Sequence, residues 1–196
     1  MKLACIFLAS GHSKRFHKDK LLTEFNGKSL VASVFEKLPR ESFDTVIVVS
    51  RSGEILQLAR DCGFLGVKNE DTTDDISRTI ALGMASVPED AQGCMFSVCD
   101  QPLLLTESIR NLADEFCGNP EKIVALSYAG RRGNPVIFPR SLFPQLLALQ
   151  RDQSGNTVIR ENPELLTLVP AQNELEMMDI DSAEDYADLA EKALHK

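Results

Sequence analysis

Leu8-Ala9-Ser10-Gly11-His12-Ser13-Lys14-Arg15-Phe16-His17-Lys18-Asp19-Lys20 sets one glycine and small neighbours among several cations, immediately after the apolar run Leu3 to Leu8. Such a segment can hold phosphates. Gly11, Ala9 and Ser10 let backbone N–H groups approach an anion closely, and Lys14, Arg15, Lys18 and Lys20 supply charge for a polyphosphate. A Walker A loop or a dinucleotide fingerprint would need further glycines at fixed spacing, and Gly11 is the only one here. The competing reading is a solvated basic turn.

Two acidic motifs follow. In Cys99-Asp100-Gln101-Pro102-Leu103 a carboxylate ends an apolar run and a proline stops it continuing. Asp100 either caps the turn before Pro102 or holds Mg²⁺, a hard cation that joins carboxylate to phosphate oxygens. In Met178-Asp179-Ile180-Asp181-Ser182, period-two alternation places Asp179 and Asp181 on one side with Ile180 opposite. Two such carboxylates repel unless a cation lies between them, and a metal shared with Asp100 would supply it; alternatively Asp181 or Ser182 caps a last helix.

The elements that must position these groups follow from periodicity. Leu3 to Leu8 reads as a buried strand, and Leu30, Val31, Val34, Phe35 and Leu38 recur at helical spacing before the β-branched run Thr45 to Val49. Ile55, Leu56 and Ala59 predict a helix closed by Gly63, Phe64 to Val67 a short strand, and Ile76, Thr79, Ile80, Gly83, Met84 and Val87 another helical face. Cys94 to Cys99 is continuous in apolar and small residues, as a central parallel strand should be. Thr106 is expected to cap a helix through Ile109, Leu112, Ala113 and Phe116. Ile123 to Tyr128 and Pro135 to Phe138 read as strands flanking a polar turn from Gly130 to Asn134, Arg140 to Leu149 as a helix, and Leu165 to Val169 as extended. Ser182 with Asp185 resembles a capping box opening a helix with Tyr186, Leu189, Ala190 and Ala193. Strands alternating with helices imply a three-layer α/β domain with a mainly parallel sheet, whose ligands bind beyond the carboxyl ends of the strands.

At 196 residues the chain is expected to form a single domain, 1–196, with a core that needs no staple. Its five cysteines are odd in number, lack a C-x-x-C pair and lie in part within apolar runs, so they read as reduced thiols of a cytoplasmic protein. The net charge of −8 opposes binding to nucleic acid, and no run approaches the ~20 apolar residues of a membrane span.

The ordered motifs L-A-S-G-H-S-K-R-F…K, C-D-Q-P-L, R-G-N-P-V-I-F-P (Arg132 to Pro139) and D-I-D-S-A-E-D-Y (Asp179 to Tyr186) resemble the molybdenum cofactor cytidylyltransferase family over nearly the whole chain. His17 stands where that family usually has glycine, and Asn134 where many members have histidine. The resemblance implies a Rossmann-like fold of nucleotidyltransferase type with a mixed sheet. It implies a nucleotide site of Leu8, Ala9, Ser10, Gly11, Ser13, Arg15 and Lys20 with Ser77 and Thr79, the latter pair standing where members often read G-M-S-x-S. Asp100 becomes the main Mg²⁺ ligand, with Asp179 or Asp181 as the second; Arg15, Lys20 and Asp100 become the catalytic set. Arg131, Arg132 and Asn134 would receive a molybdopterin-type acceptor, against the simpler reading of an exposed turn. The implied reaction transfers CMP from CTP to the acceptor's terminal phosphate and releases pyrophosphate. Ser10 favours CTP, because guanylyl-transferring members usually have glycine there. Alternatives are a guanylyltransferase, a sugar-1-phosphate nucleotidyltransferase, or an idle carrier that delivers the cofactor to a molybdenum hydroxylase.

Overall fold

The computed structural model describes residues 1–11, 19–73, 75–180 and 185. Its elements in chain order are β1 (Leu3–Ala9), β2 (Glu24–Phe25), β3 (Lys28–Ser29), α1 (Leu30–Glu36), β4 (Thr45–Ser50), α2 (Gly53–Asp61), β5 (Leu65–Lys68), α3 (Ile76–Met84), β6 (Gly93–Val98), α4 (Thr106–Gly118), β7 (Ile123–Tyr128), β8 (Arg131–Pro139), α5 (Phe143–Leu147), α6 (Gly155–Glu161) and β9 (Leu166–Pro170). Seven strands form one sheet in the order β5-β4-β1-β6-β8-β7-β9, and β2 pairs with β3 in a small hairpin. All pairings in the large sheet are parallel except those of β8, which runs against both β6 and β7. The sheet is therefore mainly parallel and mixed.

Alternation along the strands builds the three layers. On β1, Cys5 and Phe7 pack with α1, α2 and α4 on one face, through Val34, Phe35, Ile55, Ala59, Leu112 and Phe116. Ala4 and Ile6 face the opposite layer of α3, α5 and α6, with Ile80, Met84, Leu146 and Ile159. Burial on both faces explains why β1 is apolar throughout, as central parallel strands are. Phe7, Phe35 and Phe64 fill the first layer, with ring centroids 5.0 Å apart for Phe7–Phe35 and 5.2 Å for Phe35–Phe64. Gly93 opens β6 where it must: a Cβ there would lie 2.3 Å from the Phe116 ring, so glycine is what lets α4 close onto the sheet.

Chain direction locates the ligand edge. From β1 the chain winds outward through α1, β4, α2 and β5, then returns by α3 on the other face to β6 on the far side of β1. The order thus reverses between β1 and β6, and a crevice opens outside the carboxyl ends of these strands. The segments leaving that crevice begin at Ser10 and Cys99.

Local departures from the expected elements have local causes. Thr106 is the first residue of α4 rather than its cap; Leu105 holds the cap position, where its side chain can accept nothing, and its N–H is satisfied instead by Glu176 Oε2 at 3.2 Å. The turn after β7 is Ala129-Gly130, both at positive φ, so Arg131 to Asn134 are not turn residues but the opening of β8, with Arg131 opposite Tyr128 and Arg132 opposite Ser127. Arg140 to Leu149 divides into a 3₁₀ turn, Arg140–Leu142, and the short α5. The helix expected from Ser182 lies outside the described residues, Asp185 excepted.

Candidate active site

Asp19 accepts the Leu21 N–H at 3.1 Å and starts the 3₁₀ turn Lys20–Leu22. Burial pushes the Asp19 carboxyl pKa up, against the opposing pull of the Leu21 N–H. The turn points Lys20 back across the crevice, where its Nζ donates to Asp100 Oδ2 at 2.9 Å. Both side chains are largely covered, at 14% and 22% exposure, so the charges face each other with little water between them. The other carboxylate oxygen, Asp100 Oδ1, is buried and accepts no hydrogen bond.

The segment 178–180 closes the same corner. Ile180 N donates to the Asp100 carbonyl at 2.9 Å, and the Ile180 side chain is fully buried with Phe25 of β2 and Leu30 of α1. Gln101 Nε2 donates to Asp179 Oδ1 at 2.8 Å. Ile180 thus points inward as the alternation required, and Asp179 is brought to the Asp100 corner although this segment is not strand. Upstream, the fully buried Glu176 fastens the chain by accepting from Gln172 N (2.7 Å) as well as Leu105 N. Among the described residues no three His, Cys, Asp or Glu side chains group as metal ligands. Two carboxylates, one with an orphaned buried oxygen, fit a hard divalent cation that would complete its shell with phosphate and water oxygens.

On the β4 side, Ser10 is buried and its Oγ donates to the Val49 carbonyl at 3.1 Å, while Ser50 Oγ donates to the Ala9 carbonyl at 2.8 Å. These bonds tie the start of the loop after β1 to β4. Arg51 extends the tie, its guanidinium donating to the carbonyls of Ser10, Asp71 (2.6 Å) and Thr73. Asn69, buried after β5, donates through Nδ2 to Thr79 Oγ1 at 3.2 Å. Asp75 caps α3 by accepting from Ser77 Oγ (2.8 Å) and Ser77 N (3.0 Å), and the Ser77 hydroxyl bond draws its carboxyl pKa down. Ser77 and Thr79 are accordingly buried, and their hydroxyls shape this wall. Gly11 faces open space: a Cβ there would meet no atom within 4 Å.

On the β8 side the strand's alternation separates the two arginines. Arg132 and Asn134 share the α3–α5–α6 face; Arg132 donates to Asn156 Oδ1 at 2.8 Å, and partial burial draws its guanidinium pKa down. Asn134 lines a cavity of about 170 Å³ with Leu8, Val98, Ser154 and Asn156. Arg131 points the other way and forms an exposed ion pair with Glu174 at 3.2 Å. Ser13, Arg15 and Asp181 lie outside the described residues.

The structure therefore pairs Lys20 with Asp100, holds Asp179 against the adjoining Gln101, and places Leu8, Ala9 and Ser10 at the end of β1, the strand beside β6. Reading from sequence overlooked Arg51, Asn69, Gln101 and Glu176. Gln101 stood inside a quoted motif, but its bond to Asp179 spans 78 positions and leaves no local trace.

Residues 5–166 match the profile of the MobA-like NTP transferase domain. The chain is 30% identical over 129 residues to a probable molybdenum cofactor guanylyltransferase of Pyrococcus horikoshii, a match covering 64% of this chain and 62% of that protein. A nucleotidyl transferase from Methanothermobacter thermautotroptrophicus shares the fold at a TM-score of 0.83 and 19% identity, over 99% of this chain and 98% of that one. A manganese complex of Rv0371c from Mycobacterium tuberculosis does so at 0.78 and 22%, over 97% and 99%.

Proposed function

Since the chain belongs to the MobA-like NTP transferase family, we propose that it transfers CMP from CTP to the terminal phosphate of a molybdopterin-type acceptor, releasing pyrophosphate, with Mg²⁺ as cofactor. The observation that carries this reading is the Lys20–Asp100 pair at the reversal point of the sheet, with Asp179 alongside and one Asp100 oxygen unmet. A cation that must hold phosphate thus stands beside carboxylates able to hold a metal.

The reaction needs little proton transfer. A phosphate monoester with a second pKa of about 6 is largely dianionic near neutrality and attacks without a general base. Its oxygen forms a bond to the α-phosphorus while the bond to the bridging oxygen breaks, and pyrophosphate leaves with that electron pair. Catalysis is then positioning and charge neutralisation. Lys20 and Arg15 bind the β- and γ-phosphates and stabilise the leaving pyrophosphate, with Gly11 and Ser13 in the cradle. Asp100 and Asp179 would hold the divalent cation, which would supply positive charge to neutralise the α-phosphate. Ala9, Ser10, Ser77 and Thr79 form the wall beside ribose and base. Arg132 and Asn134 receive the acceptor, whereas Arg131, on the opposite face and paired with Glu174, takes no part.

The Ser10 side chain narrows the base side and supports CTP. A pocket of this kind discriminates by ~1–3 kcal/mol, so kcat/KM should favour CTP by roughly ten- to a hundredfold, and Ser10→Gly should narrow the ratio. The second reading, GTP, is favoured by the similarity to the Pyrococcus protein. Pyrophosphate release measured with each nucleotide, Mg²⁺ and the pterin acceptor decides: a preference for GTP overturns the base assignment, and no release with any nucleotide overturns the enzyme. Three wholly buried thiols, Cys5, Cys94 and Cys99, are in keeping with a cytoplasmic setting.

A further inference from the structure

Gln101 is 3% exposed and divided in its loyalties: one end of its amide donates to Asp179 Oδ1 at 2.8 Å, and the other, Oε1, is buried without a partner. The orientation of that amide follows from chemistry. An ionised carboxylate only accepts, so the NH₂ must face Asp179 and the oxygen must point away. Asp100 Oδ1, on the adjoining residue, is likewise buried and unmet. Buried acceptors without donors are rare, because each keeps its desolvation cost. A side chain retained here at that cost is expected to serve the site.

We propose that Gln101 is a positioning residue of the divalent-cation site, fixing the exposed Asp179 carboxylate toward Asp100; this rests on the reading that the Asp100 corner holds a cation. An amide suits the task better than a cationic side chain. It gives Asp179 a directional donor without cancelling the charge the metal needs, as outer-shell partners of metal ligands commonly do. A lysine or arginine in its place would compete with the cation.

Mn²⁺ binding to the metal-free full chain, followed by water-proton relaxation, tests the assignment without relying on turnover. Gln101→Met keeps length and burial while deleting the donor, and should weaken Mn²⁺ at least about tenfold, within the range typical of outer-shell losses. Its metal-free melting temperature should stay near that of the wild type, which a merely structural role would lower. Asp179→Asn should weaken binding similarly, and the double variant should be no weaker than Asp179→Asn alone, since the two act as one unit. If Gln101→Met fails to fold, Gln101→Asn, one methylene short of Asp179, should give the same loss. Wild-type Mn²⁺ affinity in Gln101→Met, with Asp179→Asn impaired, overturns the positioning role and leaves the metal reading standing. Losses that multiply in the double variant overturn it too. Wild-type Mn²⁺ affinity in both Asp100→Asn and Asp179→Asn, or no binding by the wild type, overturns the metal reading itself.

Discussion

The three oxygens of Asp100 fare differently: Oδ2 meets Lys20, the carbonyl accepts from Ile180, and Oδ1 meets none. Asp100→Asn leaves the carbonyl bond intact and is nearly isosteric, so the fold should survive; what it removes is charge. Turnover should fall by at least ~10²-fold, the scale of losing one electrostatic transition-state stabiliser, while the melting temperature changes little. Near-normal metal-dependent activity in that variant would remove Asp100 from the mechanism. Lys20→Ala and Arg15→Ala should weaken nucleoside triphosphate binding more than monophosphate binding, as calorimetric titration of both ligands would reveal. Equal losses would move these cations away from the β- and γ-phosphates. No loss at all would return the segment after β1 to a basic turn.

At the scale of elements, packing outranks propensity. Gly83 lies inside α3, where alanine would ordinarily gain ~1 kcal/mol in helix propensity. Here its Cβ would stand 2.8 Å from Ile6 Cγ2 and 3.2 Å from Val49 Cγ2, both on central strands. Overpacking a close contact costs ~1–3 kcal/mol, so Gly83→Ala should lower the urea midpoint; a raised midpoint would mean that the interface yields easily. Elements with strong periodicity were legible in the sequence: β1, β4, β6, α2 and α3 lie where their apolar residues put them. The β2–β3 hairpin went unread although its Asn26-Gly27 turn, with φ of 53° and 82°, carries a recognisable signal. Helix α6 offered no period, because only Val158 and Ile159 are buried along it. The opening of β8 was misread as turn because Arg131, Arg132 and Asn134 are polar; pairing with β7, not composition, makes them strand. Of the candidate site, the motif segments that follow β1 and β6 stand out in the sequence. The bonds of Arg51, Asn69, Gln101 and Glu176 do not, since each joins segments that only the folded sheet brings near.

For the molecule as a whole, thiol chemistry reports the layers directly. Cys5, Cys94 and Cys99 are buried, and burial pushes all three pKa values up; Cys62 and Cys117 are exposed. With Ellman's reagent near pH 8 the native protein should release two thiols promptly and the remaining three only on unfolding. Prompt reaction of all five would mean that the sheet opens readily. Among the described residues no helix is long and apolar enough to cross a membrane.

The reversed direction of β8 has a bearing on how such a molecule can change. Strands β1 and β6 lead to Ser10 and Asp100 as they end, but β8, antiparallel to its neighbours β6 and β7, carries Arg132 and Asn134 as it begins, directly after the Ala129-Gly130 turn. That turn joins only β7 to β8, so lengthening or replacing it disturbs no register among β1, β4, β5 and β6. On the proposed function, the residues that would hold the nucleotide and those that would receive the acceptor therefore lie on separate stretches of chain. Descent could then rewrite what accepts the nucleotide while what supplies it stays as it was.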